Sequence, residues 1–581
     1  MLTTTPLPDG GRRMRARSRT IVAGLVAALV GSLLAVVPSP GPGGSASAAV
    51  AADFDPGLII SDERFYDGLA MSAAEVQSFI DVKHRGCDAG YTCLNRYAQR
   101  TPTMPGDAYC DAMPGRASES AASIIARVGE ACDISQRFLL VLMQKEQALV
   151  THRAPNAIRY EKATGFGCPD TAPCDPSVGG FFYQVYFGAR QFNLYAAHPT
   201  RYNHRAGVVN QVLYNPNKAC GSSPVLIRNQ ATAGLYNYTP YQPNAAALAN
   251  LYGEGDACSA YGNRNTWTLW TDWFGDPTEP LPTAQRIAGA DRYSTAVEIS
   301  RRSFPSGAGV VYLASGESFP DGLAAGPAAA AEGGPVLLTT RATAPAVVLG
   351  EIQRLQPREV VIVGAEPSVS AEVEAAVRAL DPAREVVRLG GTDRFHTSRL
   401  IAERAFESAG SALVATGLKF PDALAAGPVA SRRQGPVLLV NGGSGTLDPE
   451  TAATLERLGV GWVGVVGDSS SVSAGLADGL ATAGRSVVRY AGADRFATAA
   501  QLAREFGVVE TAYLASGTGF PDALAGAAAA GADGAPLLLS RHGCMPAATR
   551  SALLAAEPDE VLVLGGLPTL SQTAASYTRC P

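Results

Sequence analysis

The carboxy-terminal half of the chain repeats the same markers three times, and this repetition restricts the fold more than any other feature of the 581-residue sequence. An Arg-x-x-Gly-x-Asp-Arg-aromatic segment begins at Arg286, Arg388 and Arg489. A Phe-Pro-Asp triplet begins at Phe319, Phe420 and Phe520, and a proline followed by three aliphatic residues stands at Pro335, Pro436 and Pro536. Markers that keep their order and a spacing of about 100 residues indicate one structural unit present in three copies.

Each copy alternates short apolar runs with stretches of helical character. In the first copy the apolar runs occupy residues 310–314, 336–339, 360–363 and 386–389. Helical stretches follow Pro320 and occupy residues 345–355 and 371–380. Buried strands that alternate with helices predict a parallel sheet covered by helices, with ligands at the carboxyl ends of the strands.

Charged residues recur beside the predicted helix starts. Asp291, Asp393 and Asp494 each precede a helical stretch, where a carboxylate can accept hydrogen bonds from free backbone N–H groups. One interpretation is helix capping, with the adjacent arginines pairing locally. The other is that the recurring arginines and the loops after the strands form a threefold site for a polyanion or a glycan. These arginines are Arg286, Arg292, Arg388, Arg394, Arg489 and Arg495.

The copies share no histidine, no cysteine and no nucleophile or phosphate-binding motif. Reaction chemistry is therefore not expected in the repeats, and no metal or cofactor is predicted for the chain.

The three markers resemble those of the type 2 cell wall-binding repeat, which occurs as three tandem copies in exported proteins of Gram-positive bacteria. The matching segments cover about half of the chain. The resemblance implies Rossmann-like α/β units packed around a pseudo-threefold axis, and non-covalent attachment to an anionic wall polymer. The repeats depart from the family pattern in containing a single lysine, Lys419, among many arginines.

The net charge of the chain restricts its binding partners, and the amino-terminal segment indicates where the protein is located. The net charge is −5 and five of the 47 basic residues are lysines, so no broad cationic field exists for nucleic acid. Residues 1–48 combine an arginine cluster, an uncharged apolar run at 21–37 and a stretch of small residues, which predicts a signal peptide. A membrane is a partner only if this segment remains uncleaved.

The ten cysteines, an even number, are typical of an exported protein. Eight of them lie from Cys87 to Cys258, and the sequence does not fix their pairing. Cys544 and Cys580 stand alone near the carboxyl terminus, where a bridge between them would tie down the end of the chain. Zinc is disfavoured because the close pairs have C-x5-C rather than C-x2-C spacing.

Residues 53–276 differ in kind from the repeats, because they hold eight of the ten cysteines and three of the four tryptophans. The predicted divisions are a signal peptide at 1–48, a disulfide-containing domain at 53–276, a Pro-rich linker at 277–285 and repeats at 286–387, 388–488 and 489–581.

One carboxylate lies on an apolar helix face in the amino-terminal domain. In the predicted helix that runs to about residue 150, this face carries Leu139, Leu142, Met143, Glu146 and Val150. Burial favours the neutral form of a carboxylate, which a general acid needs in order to cleave a glycosidic bond. The structural alternative is that Glu146 ends the stripe at a solvent edge or pairs with Arg153.

The segments after Glu146 resemble, in their order, the lysozyme-like fold of soluble lytic transglycosylases and goose-type lysozymes. They are a Gly-rich turn at 163–167, a helix at 187–195 and an Ala-Gly-Leu-Tyr-Asn-Tyr run at 233–238. The resemblance implies that Glu146 is the general acid/base and that Tyr236 and Asn237 line the sugar cleft. The predicted fold class is a mainly α lysozyme-like domain with disulfides, followed by three Rossmann-like α/β repeats with parallel sheets in a pseudo-threefold arrangement.

Two functions follow from these features. The first is a secreted peptidoglycan hydrolase or lytic transglycosylase, with peptidoglycan glycan strands as substrate and an anionic wall polymer holding the repeats to the cell wall without a covalent bond. The second is a non-catalytic adhesin or glycan-binding protein that the same repeats anchor.

Overall fold

The computed structural model describes residues 48–169 and 173–581, so nearly all of the predicted signal peptide lies outside the described residues. Among the described residues no helix combines the length and the apolar character needed to cross a bilayer.

The amino-terminal domain is mainly helical. Its helices are α1 (Asp62–Phe65), α2 (Ala73–Lys83), α3 (Ala121–Cys132), α4 (Gln136–Gln147), α5 (Ala157–Glu161), α6 (Phe181–Ala197), α7 (Gln230–Tyr238), α8 (Ala245–Ala249) and α9 (Gly262–Phe274). Its antiparallel hairpins are β1 (Ala98–Thr101) with β2 (Arg116–Ser120), and β3 (Val209–Leu213) with β4 (Ser222–Leu226). The predicted apolar face of α4 is buried in the core of this domain.

All ten cysteines form disulfides. The pairs are Cys87–Cys93, Cys110–Cys132, Cys168–Cys174, Cys220–Cys258 and Cys544–Cys580. The bridge predicted between the two carboxy-terminal cysteines is therefore confirmed, and four bridges lie within the amino-terminal domain.

The three repeats have the predicted order of strands and helices. After β5 (Gln285–Ile287), the first repeat contains α10 (Arg292–Ser303), β6 (Val310–Ser315), α11 (Pro320–Leu323), α12 (Ala325–Ala331), β7 (Val336–Thr339), α13 (Ala346–Leu355), β8 (Glu359–Val363), α14 (Ala371–Leu380) and β9 (Glu385–Leu389). The second contains α15 (Arg394–Ala405), β10 (Ser411–Thr416), α16 (Ala426–Arg432), β11 (Val437–Val440), α17 (Pro449–Leu458), β12 (Trp462–Val466), α18 (Ala474–Thr482) and β13 (Ser486–Tyr490). The third contains α19 (Arg495–Ala503), β14 (Thr511–Ser516), α20 (Pro521–Ala532), β15 (Leu537–Ser540), α21 (Ala547–Ala556), β16 (Glu560–Leu564) and α22 (Gln572–Ala575).

Each repeat forms a parallel sheet of four strands, and the third sheet is completed from the start of the repeat region. The strand orders are β7-β6-β8-β9, β11-β10-β12-β13 and β15-β14-β16-β5. Strand β5 pairs with β16 in parallel, with Arg286 opposite Val563. The first strand of the repeat region thus occupies, in the last sheet, the place that β9 and β13 occupy in the other two, and the three units close into a ring.

The ring is built around three central helices, α12, α16 and α20, which share one hydrophobic core. Their close packing depends on small residues: a Cβ at Gly326 would lie 2.9 Å from the Cβ of Ala527, and one at Gly427 would lie 3.1 Å from it. The phenyl rings of the Phe-Pro-Asp triplets meet with centroid separations of 5.5, 5.8 and 6.0 Å. Three nearly equal separations are the geometry of a pseudo-threefold axis.

The amino-terminal domain contacts the third repeat. Arg504 forms an ion pair with Glu75 and donates to the carbonyl oxygen of Leu69 at 2.8 Å. Arg579, next to the disulfide-bonded Cys580, forms an ion pair with Asp133. The predicted linker takes part as well, because the carbonyl oxygen of Pro277 accepts from Ser61 N at 3.0 Å and that of Glu279 accepts from Arg64 Nε at 3.2 Å. The segment therefore packs against the amino-terminal domain.

The outer helix of the third repeat differs from its counterparts. Ala552 and Ala555 of α21 occupy the positions that Glu351 and Arg354 hold in α13, where the two side chains pair at 2.7 Å. In α17 the same positions carry Thr454 and Arg457. The amino-terminal domain packs on this helix, where Arg550 pairs with Glu63 and Glu557, at the end of the helix, pairs with Arg64 and Arg137.

Candidate functional site

Glu146 lies in the last turn of α4, which ends because Ala148 has a left-handed backbone conformation (φ 53°). Its side chain is 27% exposed, and Oε1 lies 2.7 Å from the ammonium nitrogen of Lys145. Lys145 is only 6% exposed and also donates to Thr239 Oγ1 at 3.0 Å. Arg153 instead pairs with Asp88. The carboxylate therefore stands at the edge of the core with a buried lysine as its partner.

The predicted Gly-rich turn packs directly against Glu146. Gly165 has a φ of 73°, and a Cβ at this position would lie 3.0 Å from Glu146 Oε2. The buried amide of Gln184 in α6 fixes the turn, since it accepts from Thr164 N at 3.2 Å and donates to the carbonyl oxygen of Phe166 at 2.8 Å. The glycine keeps the second carboxylate oxygen uncovered, and α6 holds the glycine in place.

Tyr238, at the end of α7, completes the surroundings of Glu146. Its hydroxyl donates to the carbonyl oxygen of Thr164 at 2.9 Å, and its ring stacks on Phe192 of α6. Burial, to which the negative charge of Glu146 adds, raises the pKa of the Tyr238 hydroxyl well above its ordinary value. The Gly-rich turn and Tyr238 thus lie around one carboxylate, and helix α6 supports both of them.

Tyr236 and Asn237 do not line an open cleft. Tyr236 is 0% exposed, and its hydroxyl donates to the carbonyl oxygen of Pro56 at 3.0 Å. The side-chain amide of Asn237 exchanges two hydrogen bonds of 2.9 Å with the backbone of His204. The sugar-binding role predicted for both residues does not fit these placements. Because residues two apart lie about 200° apart around a helix, Tyr238 faces Glu146 while Tyr236 faces the core.

Sequence reasoning missed the roles of Lys145, Gln184 and Tyr238. Lys145 is adjacent to Glu146 in the chain, and Gln184 is a polar residue inside an otherwise apolar helix face. A buried polar side chain must find hydrogen-bond partners, so Gln184 was the signal available for a fixed turn.

The recurring charged side chains of the repeats form hydrogen bonds with backbone groups. Asp291, Asp393 and Asp494 accept from backbone N–H groups at the starts of α10, α15 and α19, which confirms the capping interpretation. Arg292, Arg394 and Arg495 each donate to a glycine carbonyl oxygen after the first strand of the unit, at 2.6–2.7 Å. Arg286, Arg388 and Arg489 donate to the carbonyl oxygens of Gly565, Gly364 and Gly467. The arginines bind carbonyl groups rather than the neighbouring aspartates.

A small cavity lies at the carboxyl ends of the strands where the second and third repeats meet. It encloses about 240 Å³, and its lining includes Lys419, Asp422, Asp468, Asp494 and Arg495. A cavity at this edge of a parallel sheet is where such folds bind ligands. Its mixed charges distinguish it from a purely cationic groove.

The triplicated sheets define a class of protein: residues 286–374, 388–477 and 489–575 match the cell wall binding domain 2 (CWB2) family. The chain therefore carries three tandem cell wall binding repeats, and these indicate an association with the cell wall.

Two curated relatives come from Bacillus subtilis strain 168. N-acetylmuramoyl-L-alanine amidase LytC is 26% identical over 308 residues, which is 52% of this chain and 60% of the relative. Amidase enhancer is 27% identical over 292 residues, which is 50% of this chain and 39% of the relative. The matches leave a large part of each relative uncovered.

Two solved structures are also similar. Cwp6 from Clostridium difficile has a TM-score of 0.48 with 27% identity, covering 51% of this chain and 48% of that one. Cwp8 from Clostridium difficile has a TM-score of 0.45 with 26% identity, covering 52% of each chain.

Proposed function

We propose that the protein is a secreted, wall-attached peptidoglycan glycosidase of the muramidase or lytic transglycosylase type. In this proposal Glu146 protonates the glycosidic oxygen between N-acetylmuramic acid and N-acetylglucosamine. The repeats bind an anionic wall polymer without a covalent bond and raise the effective concentration of the catalytic domain at its substrate. The names of the two curated relatives, an amidase and an amidase enhancer, place them in wall metabolism and support this setting.

The observation that carries the enzymatic part is a partly exposed carboxylate that Lys145, the Gly-rich turn at Gly165 and Tyr238 surround. Oε1 of Glu146 is engaged by Lys145, whereas Oε2 lies beside Gly165, which has no side chain to crowd it. A proton carried on Oε2 would face the open side of the turn. General acid catalysis requires this combination of a fixed carboxylate and an accessible oxygen.

The polymer-binding part is proposed for the carboxyl ends of the strands. Each of the six recurring arginines uses part of its guanidinium on a glycine carbonyl oxygen, and a guanidinium has five N–H donors. Arg388 and Arg489 use further donors on the carbonyl oxygens of Val369, Ser370, Val472 and Ser473. The polymer contact is therefore proposed chiefly for Arg292, Arg394 and Arg495, of which Arg495 lines the cavity at the carboxyl ends of the strands.

The second candidate function is a non-catalytic adhesin, and the Lys145–Glu146 ion pair favours it. The Lys145 ammonium lies 2.7 Å from Oε1, so this oxygen is already engaged within the protein.

An assay on purified cell walls distinguishes the two candidate functions. Full-length protein should clear a wall suspension and release muropeptides, and Glu146→Gln should reduce the rate at least about 100-fold because general acid catalysis contributes that much. Glu161→Gln, which changes an exposed carboxyl of the same domain, is the matched control and should retain activity. All three proteins should pellet with walls equally. If none of them releases muropeptides, the adhesin is the correct function.

The anionic partner is tested by removing it. Full-length protein should pellet with intact walls, and pelleting should fall several-fold once teichoic-type polymers have been stripped from them. Pelleting that persists on stripped walls would show that the repeats recognise a different wall component.

A further inference from the structure

A slot separates helix α2 of the amino-terminal domain from the third repeat. Its volume is about 490 Å³, within the range of sites for small molecules. One wall consists of the large side chains of Phe79, Val82, Trp273 and Phe274. The opposite wall consists of small residues, Ala503, Gly507, Ala552, Ala555 and Ala556.

Helix α2 has more apolar surface than its packing in the core requires. Val76 and Ile80 are fully buried in the core of the amino-terminal domain. Phe79 and Val82 point into the slot from another face, and Val82 is 77% exposed. A surface helix normally has one apolar face, so the second face of α2 lacks the cover that such a face usually receives.

The small-residue wall is specific to the third repeat. Ala552 and Ala555 replace the Glu351 and Arg354 pair of the first repeat. With those longer side chains the slot would be filled by charged groups. In the third repeat two methyl groups form this part of the wall instead.

A cation without an ion pair among the described residues lies at the edge of the slot. The Lys83 ammonium is 5.5 Å from the ring centroids of both Phe79 and Trp273. Among the described residues no carboxylate lies within 4.0 Å of it. The nearby Asp272 accepts instead from Ala49 N at 3.0 Å and from the Tyr252 hydroxyl at 2.9 Å. Burial lowers the pKa of Lys83, and the charge of Asp272 acts in the opposite direction.

The other charged groups of the slot already have partners. Arg504 is paired with Glu75, and Arg137 lies 4.0 Å from Glu557 and 5.4 Å from the ring centroid of Phe274. Lys83 is therefore the charge available to a ligand.

We propose that this slot binds a fatty acid, with the single acyl chain between the aromatic wall and the alanine wall and the carboxylate against Lys83. A linear acyl chain can lie between these two walls, where burial of its methylene groups favours binding. The Lys83 ammonium, which has no ion-pair partner among the described residues, favours a ligand whose headgroup carries a negative charge. Nothing in this proposal depends on Glu146 or on wall binding.

The test uses the full chain with dodecanoate and with dodecyltrimethylammonium, both below their micelle concentrations. Calorimetry and tryptophan fluorescence, to which Trp273 contributes, report binding. Dodecanoate should saturate at one molecule per chain and bind at least tenfold more tightly than the cationic amphiphile. Equal binding of the two amphiphiles, or binding that does not saturate, would overturn the proposal.

Substitutions locate the site. Lys83→Met should weaken dodecanoate about tenfold and remove the preference for the anion, whereas Arg85→Met, at an exposed position two residues on, should change neither. Ala555→Leu should fill the slot and weaken both amphiphiles. Val82→Glu changes a largely exposed residue, so folding is retained, and it should repel dodecanoate by more than tenfold. Unchanged affinity in Lys83→Met and Val82→Glu would place the amphiphile elsewhere.

Discussion

The amino-terminal domain and the repeats hold their folds in different ways. The amino-terminal domain contains four of the five disulfides and fixes its loops with buried polar side chains such as Gln136 and Gln184. The repeats contain one disulfide and use the same sheet and the same Ala-rich central helix three times. The fold of the repeats can be recognised from the sequence because the same pattern occurs three times. The amino-terminal domain depends on individual disulfides and hydrogen bonds that occur once each, so no repeated pattern reveals its fold.

The largest expected effect is on the free energy of unfolding, when a disulfide of the repeats is removed and compared with a disulfide of the amino-terminal domain. Replacing both Cys544 and Cys580 by serine opens a loop with a separation of 36 residues and should lower the free energy of unfolding by about 4 kcal/mol. The same change at Cys87 and Cys93, with a separation of 6, should lower it by about 2 kcal/mol. Denaturant unfolding monitored by circular dichroism measures both. Equal losses would mean that loop length does not govern the contribution of these bridges.

A second prediction concerns Asp522, the buried carboxyl group of the third Phe-Pro-Asp triplet. Burial raises the pKa of Asp522 to about 6 from 3.8, against the opposing charge of Arg292. Since the folded state binds this proton more tightly, the stability gained from the group is complete below pH 3.8 and is lost as the pH rises through 6. The stability of Asp522→Asn relative to wild type should therefore increase between pH 4 and pH 7, by at most about 3 kcal/mol.

Thermal unfolding at several pH values checks this prediction. Asp559→Asn removes an exposed carboxylate from the same repeat and controls for the change in net charge. A difference between Asp522→Asn and wild type that stays constant with pH would show that Asp522 has no raised pKa.

The smallest expected effect on stability lies beside Glu146. Gly165→Ala and Gly207→Ala place a side chain at φ values of 73° and 77°, so each should cost about 1–2 kcal/mol. Only the Cβ at 165 meets Glu146, because the space around Gly207 is open. Muropeptide release should fall at least tenfold in Gly165→Ala alone. Equal muropeptide release by the two variants would show that the turn at Gly165 does not contribute to catalysis.

The elements of the repeats could be predicted from the sequence because each is bounded by local signals. The apolar run at 336–339 and the helical stretch at 371–380 coincide with β7 and α14. The pairing of β5 with β16 could not be predicted in this way, since it joins the two ends of the repeat region through contacts that no local pattern records.

The candidate site was predictable only in part. The periodicity of α4 identified Glu146, but the orientation of α7, which selects Tyr238 over Tyr236, is set by tertiary packing. The ion pair with Lys145 was also unexpected, because neighbouring residues on a helix do not normally face each other.

Because β5 pairs with the last sheet, the three wall-binding units form one closed assembly that needs all three of them. Deleting the final unit would leave β5 without a neighbour, and inserting a fourth would force the three central helices to admit another at an axis where even a methyl group at Gly326 is crowded. Each unit therefore depends on the other two for a complete sheet or a shared core, so removal of any one unit should destabilise the remaining pair.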